Sequence, residues 1–362
     1  MIKEDKINSF GLSTMVCALC CSSFYGVFSS YLLHESLNST IISLILGYFF
    51  SLIISKLILS FYDIKDNQKY VSKIKYIYSK TSIIIILISI ICSLFGYILL
   101  TYRLTTFISN QYLIETPKYL ILIMILFTTY FTASKGIETT IRVSTISFYI
   151  SIIIFLFDFF SLVGQINIQN YLPLFTVSFK KIIINALIFS LYFTITTTQI
   201  YAIKKSQIED KQNFNKLFFI MLTLSFIIIF ISTFTIIGVS GINIVNLFDY
   251  PVYSTLKRIK IFSFLDSIEN VSILAWVYFI LNSGSMFLLF IFNNIKDVFK
   301  LNKKKSFIVN IIIMILVFSI PNFIFLKNNY NETYEYIYLP LAIECLVLLI
   351  IIISLIKNRL KK

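Results

Sequence analysis

The residues best placed to do chemistry are polar ones set inside apolar runs. The stretch Phe10–Leu33 (FGLSTMVCALCCSSFYGVFSSYLL) carries no charge, yet its middle holds Ser22, Ser23 and Gly26 among Ser13, Thr14, Cys17, Cys20, Cys21, Ser29 and Ser30. At about 36 Å in helical form it is long enough to cross a bilayer. A lipid-facing helix has no use for so many hydroxyls. They serve either a close helix–helix contact or a helix that opens around a ligand near the midplane. A second polar stretch lies in 182–203 (IIINALIFSLYFTITTTQIYAI), with Ser190, Tyr192, Thr194, Thr196, Thr197, Thr198 and Gln199 in its central and inner part. Asn282-Ser283-Gly284 and Gly96-Tyr97 add further polar or small positions, and each reads either as a packing notch or as a ligand contact.

Two acids sit within apolar runs, Asp158 and Glu344. A carboxylate in hydrocarbon must be paired, protonated or wetted. Asp158 is under two turns from its run's outer end, where solvation accounts for it; Glu344 lies about two turns inside its run. Glu344 reads as a neutral hydrogen-bonded acid or as a proton-coupling group, a role open to Asp158 as well. Cys17, Cys20 and Cys21 resemble a metal cluster only in spacing. The single histidine, His34, is several turns away, no acid is near, and the five cysteines all lie in apolar segments, so they read as buried small residues. The nine glycines form neither GxGxxG nor GxxxxGK[ST], and no nucleophile triad or metal spacing is visible. Nothing here points to an enzyme, a metal or a cofactor.

The elements that must position these residues are membrane helices. Hydrophobic residues make up 58% of the 362 and charged ones 13%, with mean hydropathy +0.87, about half the charge of a soluble domain. The net charge of +14 lies in short loops between apolar runs, where it faces anionic headgroups rather than nucleic acid. The runs predict a single transmembrane domain over 1–362 with ten spans: 10–33, 39–61, 83–107, 118–134, 144–163, 182–203, 217–238, 270–295, 306–326 and 336–356. The first reads as a retained span rather than a cleaved signal segment. Of the 31 Lys and Arg, 22 fall on the side of the two termini and 8 on the other, with Lys56 inside the second span. That asymmetry places both termini in the cytoplasm. The loop 62–81 reads as an interfacial helix with snorkelling lysines. In the outer loop 239–269, Ser254–Ile268 alternates apolar and charged residues at helical spacing, as a cap or a lid. Five spans precede the 164–181 loop and five follow it. An odd number inverts the second half, 182–356, relative to the first, 10–163, so the two polar spans occupy matching places.

Several segments resemble the spore germination permeases, the membrane B subunits of nutrient germinant receptors within the amino acid–polyamine–organocation superfamily. They run in order: Ile114–Pro117 (IETP), Lys135–Arg142 (KGIETTIR), Asn170–Leu174 (NYLPL), Tyr250-Pro251-Val252, Ile259–Leu265 (IKIFSFL), Ile273–Val277 (ILAWV) and Pro321-Asn322. The resemblance implies a LeuT-like fold of two inverted five-helix repeats, with the first and sixth helices locally unwound around a small-molecule site. It also implies amino-acid-like germinants, the inner spore membrane, and two partners, an A subunit and a C-subunit lipoprotein. This chain departs from the pattern at three points. Ser29 stands where the family has Pro, Tyr192-Phe193-Thr194-Ile195 stands where a Pro-Phe-Gly-Glu-like stretch is usual, and Asn282 replaces a common lysine. The sixth span therefore has no ordinary helix breaker.

The reading favoured by residues and resemblance together is a subunit that binds a small nutrient between the first, third, sixth and eighth helices. Backbone groups freed near Ser22, Ser23 and Gly26 would meet its charged ends, with Tyr192 and Thr194 at its side and Tyr97 and Asn282 around it. Its rivals are an amino-acid transporter coupled through Glu344 or Asp158, and a scaffold that binds no ligand.

Overall fold

The computed structural model describes residues 6–257, 269–321 and 338–361. These are almost wholly helical, as expected where hydrocarbon offers the backbone no other hydrogen-bond partner. The only strand-like pairing among them is an isolated parallel bridge between Ile7 and Ile208.

The first span is α1 (Ser9–Ser23), capped by the Asn8 side chain accepting from Phe10 N at 3.0 Å. It runs through a π-helical turn, Phe24–Phe28, into α2 (Ser29–Ser36). The chain turns at Leu37, whose φ is 50°, and continues as α3 (Thr40–Tyr62). After α4 (Tyr70–Tyr78) come α5 (Ser82–Gln111), α6 (Lys118–Ser134) and α7 (Ile137–Leu162). The second half has α8 (Phe179–Thr194), which passes directly into a 3-10 helix, Ile195–Ala202, then α9 (Lys211–Ser240) and the short α10 (Ile242–Val245) and α11 (Pro251–Leu256). It ends with α12 (Glu269–Val298), α13 (Lys303–Ile320) and α14 (Tyr338–Leu360).

Seven helical stretches among the described residues are long and apolar enough to cross a membrane. One of them, Ser9–Tyr62, contains two of the predicted spans, while Lys118–Ser134 is a shorter apolar helix. By that measure the count stops short of ten. The last part of the ninth predicted span, the first residues of the tenth, Ile259–Leu265 and most of the predicted outer helix 254–268 lie outside the described residues.

The bundle centres on α12, which packs on α1, α5, α6 and α7, while α3 packs along α8 and α1 along α9. Small residues permit the closest approaches. A Cβ built on Gly47 of α3 would come within 2.7 Å of the Ala186 carbonyl oxygen of α8, so only glycine lets these backbones meet there. On one face, Ile7 N donates to Gln207 O and Glu209 N to Ile7 O, both at 2.9 Å, and Lys205 pairs with Asp63. Lys361 Nζ donates to the Tyr76 carbonyl at 2.5 Å, so both ends of the described chain lie on this face. The helix α4 buries Tyr70, Val71, Ile74 and Ile77 as its spacing predicts. Lys73 departs from the snorkelling expectation, for its Nζ reaches the Tyr62 carbonyl at 2.5 Å. On the opposite face Asn170 Nδ2 donates to Gly238 O at 2.7 Å and Tyr171 OH to Phe234 O at 2.9 Å, pinning the link between the halves onto α9.

Candidate functional site

The two polar spans become irregular at related points, by different means. In the first, Ser29 N bonds back to Phe24 O, the wide spacing of a π turn. The extra room leaves the Gly26 carbonyl accepting from Arg103 Nε of α5 at 3.1 Å. Such turns recur at functional sites. In the sixth span the helix tightens into a 3-10 form without proline or glycine. Its hydroxyls explain this. Thr197 Oγ1 donates to Thr194 O at 2.6 Å, Thr198 Oγ1 to Ile195 O at 2.7 Å, and Thr196 Oγ1 crosses to Leu19 O of α1 at 3.2 Å. Branched residues in succession already disfavour the α form, and hydroxyls that bond nearby carbonyls offer an alternative to it. The π turn meets α8, just before the 3-10 helix, through rings: Phe28 stacks on Tyr192 at 5.0 Å and 15°, and Phe24 meets Phe189 edge-on at 5.9 Å.

Beside this junction lies an inner cavity of about 70 Å³, several times what one water requires. Its wall is drawn from Ser23 and Val27 near the π turn, Ser93, Gly96 and Leu100 of α5, and Tyr192 of α8. Thr196, Thr198 and Gln199 of the 3-10 helix, Phe287 and Phe290 of α12, and Glu344 of α14 add to it, with Phe61 of α3 and Tyr70 of α4. The predicted first, third, sixth and eighth spans thus contribute, together with the end of the second, α4 and the tenth. Gln199 is 5% exposed, and neither its Oε1 nor Glu344 Oε2 has a hydrogen-bond partner among the described residues.

A second, outer cavity of about 110 Å³ opens on the face away from the termini. Arg103, Asp158 and the exposed Asp249 line it, with aromatic walls that include Tyr25, Phe107, Phe155 and Trp276. Ser272 Oγ of α12 donates to Asp158 Oδ1 of α7 at 2.5 Å, and Tyr25 OH lies 2.7 Å from Ser232 Oγ of α9.

The predicted site residues therefore divide. Ser23, Tyr192 and Glu344 line the inner cavity and Asp158 the outer one. The others sit in helix contacts. Ser22 Oγ lies 2.8 Å from Ser283 Oγ, joining α1 to α12, and Asn282 Nδ2 donates to Ser147 Oγ of α7 at 2.5 Å. Tyr97 OH shares a 2.5 Å hydrogen bond with Thr129 Oγ1 of α6, and Thr194 Oγ1 donates to Ser190 O at 2.7 Å. A Cβ on Gly26 would meet Leu100 Cδ2 at 3.2 Å and Ile280 Cδ1 at 3.5 Å, so this glycine faces packed side chains. A Cβ on Gly284 would lie 3.1 Å from both Tyr97 and Thr129. The run Asn282-Ser283-Gly284 thus serves α1, α5, α6 and α7 at once as a packing notch. Among the described residues no group of three metal-ligating side chains gathers, and the cysteines are free.

Gln199 and Arg103 are among the polar contributors that the predicted site set lacks. Each had a visible signal, an amide beyond a threonine run and a cation near the end of an apolar span.

The chain is similar in structure to a Na+-coupled sialic acid symporter in a substrate-bound, outward-open state, with 14% identity and a TM-score of 0.64 over 94% of this chain and 79% of that one. The likeness establishes a shared LeuT-like fold. No curated protein matches the sequence. The family described as spore germination protein, of spore permeases, matches residues 13–324. An all-helical, permease-like membrane protein, this chain belongs to the spore germination protein family.

Proposed function

We propose that this protein is the membrane subunit of a spore nutrient-germinant receptor, and that it holds a small nutrient of the amino-acid kind in the inner cavity. The observation that carries the reading is the place of that cavity. It lies beside the two helix irregularities and takes its wall from both halves of the chain, so a ligand there touches the segments best able to move. Occupancy would favour one arrangement of the π turn and the 3-10 helix over another. A receptor of this kind signals through that shift, by an amount set by the ligand's differential affinity. The partners are an A subunit and a C-subunit lipoprotein, both termini are cytoplasmic, and the membrane is the inner one of the spore.

Thermal unfolding of the purified protein in detergent tests this against a panel of amino acids, nucleosides and sugars. A saturable rise in midpoint with one class, abolished by Tyr192→Ala, is the expected result. No rise with any class, alone or with the A subunit present, leaves the scaffold reading in its place. Transport is the second reading, favoured by a carboxylate in each cavity. It requires uptake into proteoliposomes that Glu344→Gln or Asp158→Asn removes.

A further inference from the structure

We infer that the inner cavity receives an amine, and that Glu344 with Gln199 reads the ammonium end of the nutrient. The inference rests on the cavity being the nutrient site, and it adds the chemistry by which the site chooses.

The argument is one of donors and acceptors. Three hydroxyls of this wall have their hydrogens directed into the backbone: Ser23 donates to Cys20 O at 2.9 Å, Thr196 to Leu19 O at 3.2 Å and Thr198 to Ile195 O at 2.7 Å. What each still offers is lone pairs. Glu344, when ionised, offers only acceptors, and its Oε2 has no hydrogen-bond partner among the described residues; Gln199 Oε1 is in the same condition. No lysine or arginine lines the cavity among the described residues, so the carboxylate has no counter-charge in its own wall. Buried polar atoms normally find partners, and buried charges are normally paired. One unpaired acid, with the free Gln199 carbonyl and hydroxyl lone pairs in the same wall and no lysine or arginine, is complementary to a cation with several N–H donors. A carboxylate end beside Glu344 would meet a like charge with no lysine or arginine near it, so the nutrient's acid group must point away from Glu344.

The test separates charge from size. Propylammonium and propionate are close in bulk and opposite in sign, and binding of each to the purified full-length protein is followed by thermal shift and by calorimetry at neutral pH. Propylammonium should raise the midpoint saturably and propionate should not. Glu344→Gln, close in shape and neutral, should weaken propylammonium at least tenfold without lowering the ligand-free midpoint. Gln199→Met, which removes the acceptor by a second route, should weaken it severalfold. Equal response to both probes overturns the inference, as does propylammonium binding that neither substitution weakens, the behaviour of a cavity that is merely hydrated. If amino acids from the wider panel bind while propylammonium does not, the amine assignment fails and the nutrient site stands. If nothing in the panel binds, the reading beneath it fails too.

Discussion

The inner and outer cavities use polar residues in opposite ways. In the outer one the two buried or half-buried charges are tied into the frame, leaving the exposed Asp249 aside: Asp158 accepts from Ser272 across α7 and α12, and Arg103, 7% exposed, holds the Gly26 carbonyl across α5 and the π turn. In the inner one Gln199 Oε1 and Glu344 Oε2 have no hydrogen-bond partner among the described residues. A paired buried charge fixes two helices against each other, whereas an unpaired one is a standing cost that a partner relieves. The outer set therefore belongs first to stability and the inner set to binding.

The sharpest way to break this comparison is to neutralise one charge in each cavity. Arg103→Met leaves the Gly26 carbonyl at a π turn without its donor, and a hydrogen bond to a charged group is worth about 2 kcal/mol. The unfolding midpoint in detergent should fall clearly. Glu344→Gln should not lower the ligand-free midpoint, and relief of the unpaired charge should raise it. If both variants unfold alike, the division between structural and binding charges is wrong.

Gly26 comes next in expected size, and it sits where the two regions touch. Its carbonyl belongs to the outer set through Arg103, while its neighbour in the chain, Val27, lines the inner cavity. Leucine there must displace Leu100 and Ile280, and overpacking of a filled site costs about 1–3 kcal/mol. Alanine should be tolerated, since its nearest neighbour is the flexible end of Leu100. The expected pattern is a lowered midpoint for Gly26→Leu with alanine close to the unaltered protein. Loss of nutrient binding by Gly26→Leu at unchanged stability would instead mean that this glycine opens onto the cavity.

The comparison also separates what the sequence made legible from what it did not. The helices were legible because long apolar runs between basic loops leave the backbone only one economical form, and span limits such as 118–134 and 182–203 closely match Lys118–Ser134 and Phe179–Ala202. The pairing of two polar spans was legible from composition alone. Which of their hydroxyls faces a cavity was not. Ser22 and Ser23 are adjacent and alike, and only the rotation of α1 sends one to Ser283 and the other to the cavity wall. Nor did the lack of Pro and Gly in the sixth span predict a continuous α-helix, because threonines bonding nearby carbonyls are a quieter way to tighten it. Asn282 was read from its polarity. Its contact with Ser147 depends on how α12 faces α7, which no local pattern encodes.

The smallest effect expected is at the rim of the outer cavity, and it asks whether Asp158 belongs wholly to the frame. Ser272→Ala removes the hydroxyl that donates to Asp158, and interhelical hydrogen bonds in membrane proteins average only about 0.6 kcal/mol. Asp158→Asn keeps an acceptor for the serine and should cost less still. The informative quantity is the coupling in the double variant, measured by unfolding in detergent. If the two residues act only on each other, losing both should cost no more than losing the serine. A coupling near zero, with Asp158→Asn altering nutrient binding by itself, would move this acid from the frame to a site and make the outer cavity a second place of recognition.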